Sequence, residues 1–156
     1  MIGLLWNIRG LGKLGRVPAL VSRIKDSHAG FVGIMETKKN SLSVGLLKTL
    51  SSNVLFSWHH LEAKGSAGGI LVGINMYIFN MVVGDVLMFL VSVMLTNKTN
   101  GFVWKLVVVY GPAYDDLKQE FLAEFETVMG AWNGPTLVRG DFNLVRFASD
   151  KNNGVR

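Results

Sequence analysis

Met76-Tyr-Ile-Phe-Asn-Met-Val-Val-Gly-Asp-Val-Leu-Met-Phe-Leu-Val-Ser-Val-Met-Leu95 is the stretch whose reading decides the fold. Its length matches what a membrane-spanning helix needs. Two features argue against that reading. Asn80 and Asp85 lie inside it, and an Asp near the middle of a span costs about 2.5–3.5 kcal/mol on insertion. Val82, Val83, Val86, Val91 and Val93 make it rich in β-branched residues, and Gly84-Asp85 is a turn signal at its centre. Two strands joined by a tight turn at Gly84-Asp85 are therefore expected, with no membrane partner.

Outward from this pair the chain continues in short apolar runs. Toward the C-terminus, Asn97–Gly101 reads as a turn and Phe102–Tyr110 as a strand stopped by Gly111-Pro112. Leu117, Phe121, Phe125, Val128 and Met129 then form one helical stripe, extended by Trp132, with Asp116 as N-cap and Gln119 three residues on. Pro135–Val138 is a last short strand running into Arg139-Gly-Asp-Phe-Asn143. Toward the N-terminus, Ile70–Ile74 and Val54–His60 read as strands, and Leu42–Leu50 as a weaker helix. Phe31–Met35 and Ile2–Trp6 read as buried strands. Between those two, Val17, Leu20, Val21 and Ile24 mark a helix with Pro18 in its first turn. The order is βαβ, a block of strands, then α and β. One mixed α+β domain over residues 1–156 is expected.

Composition narrows the chemistry. The 156 residues are 49% hydrophobic and 17% charged, with mean hydropathy +0.34, which excludes a disordered chain. There is no cysteine, so disulfide-linked partners, thiolate metal sites and thiol nucleophiles are excluded. Sixteen Lys and Arg against eleven Asp and Glu give +5. That suits a polyanion but does not specify one. The N-terminal residues carry no basic region ahead of the apolar run and no small-residue cleavage site, and do not read as a signal peptide.

Three strands end alike, each apolar run closing on a small polar cluster: Asn7-Ile-Arg9-Gly10, Glu36-Thr-Lys38, and Gly140-Asp141-Phe-Asn143. Taken singly, each reads better as an ordinary turn or a solvated loop carboxylate than as a site. Together they supply hard oxygen ligands and amide donors at strand ends, where binding groups collect on α/β sheets. That chemistry suits Mg²⁺, which is held by one or two carboxylates and completed by water and phosphate oxygens.

Trp6-Asn-Ile-Arg-Gly10, Met35-Glu-Thr-Lys38, Ser66-Ala-Gly-Gly-Ile70, Val109-Tyr-Gly-Pro112 and Arg139-Gly-Asp-Phe-Asn143 together resemble the endonuclease/exonuclease/phosphatase family. Within it the chain is most similar to the apurinic-type endonuclease domain of plant LINE (non-LTR) retrotransposons. The resemblance implies a four-layer α/β/β/α sandwich of the DNase I-like type and Mg²⁺- or Mn²⁺-dependent hydrolysis of phosphodiester bonds in DNA. It also implies a nuclear location. By matching position, Glu36 resembles the principal metal ligand and Asn7 its helper. Tyr110 resembles the tyrosine that contacts the scissile phosphate. Asp141 resembles the aspartate that activates water, and Asn143 the amide that orients water or phosphate. Ser66 falls where the family has small polar residues near DNA. Apart from the resemblance, Arg9 and Lys38 stand near strand ends, where they read equally as phosphate-tracking cations or as ordinary solvated charges.

Two departures stand out. Arg9 replaces an acid that the family often has two residues after the first Asn, though related retrotransposon domains carry Arg there. The family's catalytic set also ends in an Asp and a Ser-Asp-His segment. Here His28, His59 and His60 all lie upstream, and Ser149-Asp150-Lys151 carries Lys in place of His. The expectation is a C-terminally truncated domain with open sheet edges and weak or lost activity. A non-catalytic nucleic-acid-binding remnant and a same-family phosphatase or RNase are the alternatives.

Overall fold

The computed structural model describes residues 1–64 and 68–144. Its strands are β1 (Gly3–Asn7), β2 (Phe31–Met35), β3 (Phe56–Leu61), β4 (Ile70–Asn75), β5 (Phe79–Val86), β6 (Leu90–Asn97), β7 (Val103–Tyr110) and β8 (Thr136–Asp141). The helices are α1 (Arg16–Ser27), α2 (Val44–Ser51) and α3 (Lys118–Gly130), the last preceded by a 3-10 turn at Asp115–Leu117.

The strands form two four-stranded sheets, ordered β1-β2-β4-β3 and β5-β6-β7-β8. β2, β4, β6 and β7 read as continuous apolar runs because both of their faces are largely buried. On β4, Ile70, Val72 and Ile74 face the other sheet while Leu71 faces the helices. On β7, Trp104, Leu106 and Val108 face inward while Val107 and Val109 meet α3. Three apolar layers result: α1 and α2 on the first sheet, sheet on sheet, and α3 on the second. The architecture is the expected α+β, four-layer α/β/β/α sandwich.

Between the sheets, Trp104 meets Phe31 and Phe79 edge-on at centroid distances of 5.7 and 5.8 Å, and its Nε1–H donates to Asn97 Oδ1 at 2.9 Å. Lys105, on the same strand, is only 5% exposed. Its ammonium donates to the carbonyl of Val128 near the end of α3, a free acceptor at a helix C-terminus.

Three local expectations are corrected. Gly84-Asp85 is not the turn between β5 and β6. It lies within β5, where the register shifts between Val83 and Val86, and the chain reverses at residues 87–89. Glycine is required there because a Cβ would stand 1.7 Å from the Ser92 carbonyl oxygen, and Ser92 Oγ accepts the Asp85 N–H at 3.1 Å. The Gly signal marks a bulge. Asp116 is not the N-cap of α3. It sits inside the 3-10 turn, Leu117 holds the cap position, and no side chain caps the helix. Trp132 lies beyond the end of α3 and folds over Gly134, with Nε1–H donating to the Pro135 carbonyl at 3.3 Å. No helix among the described residues is long and apolar enough to cross a membrane.

β1 and β8 are both edge strands of their sheets among the described residues. These are the strands that end at Asn7 and Asp141.

Candidate active site

β1 runs parallel to β2 with Asn7 opposite Met35, and β7 runs parallel to β8 with Tyr110 opposite Asp141. Parallel pairing brings both C-terminal ends to one edge of each sheet, where loops gather polar groups. The two edges meet: Asn7 Nδ2–H donates to Asp141 Oδ2 at 3.3 Å, joining the first sheet to the second.

The loop after β1 is pinned by buried Ile8 and Leu11 and laced to the loop after β2. Ile8, Gly10 and Leu11 N–H groups donate to the carbonyls of Met35, Glu36 and Thr37 at 2.8–3.0 Å. On its other side, Thr37 and Lys38 N–H groups donate to the carbonyls of Gly69 and Gly68 at 3.2 and 3.0 Å. Glu36 is thereby held between two neighbours, in a left-handed conformation with φ 57°. Arg9, Lys38 and Asn143 also have φ of 50–54°, so four of the six described non-glycine residues with positive φ stand here. The other two, His28 and Ser52, close helices. Left-handed backbone at a non-glycine residue costs energy and gathers where geometry serves function.

Asp141 is fixed at both oxygens. Oδ1 accepts the Asn143 N–H at 3.0 Å and Oδ2 accepts from Asn7. Asn143 Nδ2–H donates to the Gly111 carbonyl at 2.7 Å, while Asn7 Oδ1 accepts the Arg9 N–H at 3.3 Å. Burial pushes the Tyr110 phenol above its usual value. The charges of Glu36 and Asp141 push the same way, and a hydrogen bond with Asn143 and the Arg9 cation pull back. Tyr110 is therefore a neutral donor at physiological pH, within electrostatic reach of four of the expected site residues. Lys38 Nζ lies 3.2 Å from Glu36 Oε1. The side chains of Lys13 and Lys38 both pass within 3.6 Å of where a Cβ on Gly10 would stand, making a basic rim.

The structure thus brings together Asn7, Arg9, Glu36, Lys38, Tyr110, Asp141 and Asn143. Ser66 and the Ser149-Asp150-Lys151 segment lie outside the described residues. The three histidines are elsewhere. His28 closes α1, His59 pairs with Ser57 Oγ at 3.3 Å, and His60 lies near Glu62 and the Lys39 backbone.

Two residues at the site carried little sequence signal. Thr37 is fully buried beside Glu36, and its hydroxyl has no hydrogen-bond partner. Gly69 lies against it: a Cβ there would come within 2.2 Å of Thr37 Oγ1, at φ +91°. Only the Gly68-Gly69 pair hinted at this close approach.

The donor set fits a divalent cation that keeps most of its water. Glu36, Asp141 and the Asn7 amide offer hard oxygens, and no cluster of three or more His, Cys, Asp or Glu side chains is present among the described residues. The Lys38 ammonium already occupies a cation position on Glu36.

No family model matches the chain, and no curated protein does. Solved structures do. One is TDP2 from D. rerio complexed with a single-strand DNA product, at 17% identity and TM-score 0.63, over 92% of this chain and 60% of that one. Another is the 3′ phosphatase NExo from Neisseria bound to a product DNA hairpin, at 14% identity and TM-score 0.63, over 95% and 60%. A third is the mannosyl-6-phosphatase Bt3783 of Bacteroides thetaiotaomicron, at 12% and TM-score 0.63, over 90% and 64%. The chain spans less than two-thirds of each of these. At such identity the likeness establishes the fold, which these nucleic-acid and sugar-phosphate proteins share.

Proposed function

We propose that this chain carries the metal-holding and water-activating groups of a divalent-metal-dependent DNA endonuclease of the LINE type. The observation that carries the reading is the Asn7–Asp141 hydrogen bond. It joins the ends of two sheets at the place where Glu36, Tyr110, Asn143 and Arg9 also converge.

In this reading Glu36 holds Mg²⁺ or Mn²⁺ with Asn7 as helper. Bound there, the cation supplies Lewis-acid polarisation of the phosphoryl oxygen and stabilises the leaving alkoxide. The remaining work belongs to the chain. Tyr110 stays protonated and donates to a phosphate oxygen, as a donor aimed at developing charge should. Asp141, held by Asn7 and the Asn143 amide, accepts the proton of the attacking water. The Asn143 side chain, tied to Gly111, keeps the loop after β8 in place. Arg9 and Lys38, with Lys13 on the rim, meet the flanking phosphates. DNA is favoured over a small phosphate ester by this basic rim and by the LINE-like wording around Tyr110 and Asp141. Nuclear residence follows from the same resemblance.

All three histidines of this chain lie outside the site. The test is nicking of supercoiled plasmid with and without Mg²⁺ or Mn²⁺, beside Glu36→Ala and Asp141→Ala, with near-UV CD on each sample. Metal-dependent nicking that both substitutions remove supports the reading. Salt-sensitive DNA binding without nicking in a folded chain supports the binding-remnant alternative.

A further inference from the structure

Tyr110 has a second neighbourhood. On the side away from β8 it borders a cleft of about 350 Å³, within the lower range of small-ligand sites. Ile70 and Phe89 form its buried floor, and Pro112 and Leu117 line one wall. Tyr114 stands at the lip, 75% exposed. The wall at residues 88–89 is fixed from α3: Glu124 accepts the N–H groups of Met88 and Phe89 at 3.1 and 2.8 Å.

The polar groups at this cleft select its occupant. Glu62 and Glu120 line it, with Lys64 as the one cationic side chain among the described residues. Both carboxylates are solvent-exposed; they oppose a phosphate inside the cleft and offer acceptors to an occupant that carries N–H donors. A nucleobase suits both features. Its faces are apolar, and its edge carries N–H donors. The cleft is continuous through Tyr110 with the site where the phosphate is placed, so a base attached to that phosphate has the cleft within reach.

We infer that this cleft receives an unstacked, amino-bearing base of the nucleotide whose phosphate lies against Tyr110. The inference rests on the nuclease reading and sharpens its substrate. A base inside an intact duplex cannot enter, so single-stranded or locally opened DNA binds best. Tyr114 is the stacking platform, and Glu62 and Glu120 accept from the exocyclic amine.

The test compares two single-stranded oligonucleotides of equal length in EDTA. One carries adenine at a central position and the other an abasic site there, in an otherwise all-thymine strand. Binding is read by fluorescence anisotropy. The adenine strand is expected to bind about 5- to 100-fold more tightly, the range base–aromatic stacking gives. Tyr114→Ala should remove that preference and leave abasic-strand affinity unchanged. Glu62→Gln with Glu120→Gln should lower the preference for adenine over thymine at the central position. Equal binding of both strands, with metal-dependent nicking retained, overturns this inference alone. Absence of binding and of nicking overturns the nuclease reading with it. Self-association that Tyr114→Ala abolishes, without base preference, assigns the cleft to a second copy of the chain and overturns the inference.

Discussion

Asn7 and Asp141 are 134 residues apart in sequence, yet their side chains meet at 3.3 Å where the two sheets of the sandwich come together. Each ends a strand that, among the described residues, lies at a sheet edge and runs parallel to its one neighbour. The bond thus reports whether the sheets are docked in the geometry the site requires.

On the proposed reading, a metal held by Glu36 would compete with Lys38. Lys38 Nζ is 3.2 Å from Glu36 Oε1 on a partly exposed surface, where such a pair contributes about 0.2–1 kcal/mol. Lys38→Met should therefore tighten Mn²⁺ binding by about two- to fivefold, read as thermal stabilisation across a Mn²⁺ titration. Glu36→Gln should abolish that stabilisation. Weaker Mn²⁺ binding in Lys38→Met would mean the lysine supports the site instead of competing for it.

Acid should destabilise the fold through β3. Burial lowers the pKa of both His59 and His60 from 6.5, with Glu62 and the Lys39 backbone partly opposing at His60. The unfolded chain then binds more protons than the folded one below about pH 6.5. The contribution is fully present above 6.5 and is lost as pH falls through that value toward the lowered folded pKa. Melting temperatures between pH 8 and 5 should decline less steeply for the His59→Gln/His60→Gln double variant. Parallel curves would place the acid sensitivity elsewhere.

Gly69 and Thr37 are a matched pair. Gly69→Ala would force a left-handed residue with its Cβ 2.2 Å from Thr37 Oγ1, and should cost about 1–3 kcal/mol in denaturant unfolding. Thr37→Val removes a buried hydroxyl without a partner, and should be neutral or stabilising by up to about 1–3 kcal/mol. A destabilised Thr37→Val would show that the hydroxyl is satisfied in solution.

The strands were legible because most lie in buried layers, and burial on both faces writes an unbroken apolar run. Phe31–Met35 is a strand to the residue, and all five positions of the 117–129 stripe pack in the core beneath α3. Gly84-Asp85 misled because a tight turn and a bulge ask for the same residue. The difference lies in the partner strand, where Ser92 meets Asp85. Asp116 misled because the chain takes a 3-10 turn over Asp115–Leu117 before the helix begins. Asn7, Arg9, Glu36, Lys38, Asp141 and Asn143 were visible in three polar strand endings and Tyr110 only through the family resemblance, but their meeting was not visible, since no spacing encodes a contact across 134 residues. The cleft was hidden for the same reason: its walls come from three distant segments.

The most direct test of one site shared by two sheets is a double-mutant cycle on metal-dependent plasmid nicking with Asn7→Ala, Asp141→Ala and both together. Asp141→Ala should cost about 10²–10⁴-fold, and Asn7→Ala about 10–100-fold, as loss of a supporting contact does. Because Asn7 holds Asp141 besides its proposed part at the metal, the double variant should be slower than Asp141→Ala alone by less than the full loss that Asn7→Ala causes by itself. Fully multiplicative losses would contradict the account, since the two residues would then contribute independently across a boundary that the structure shows bridged.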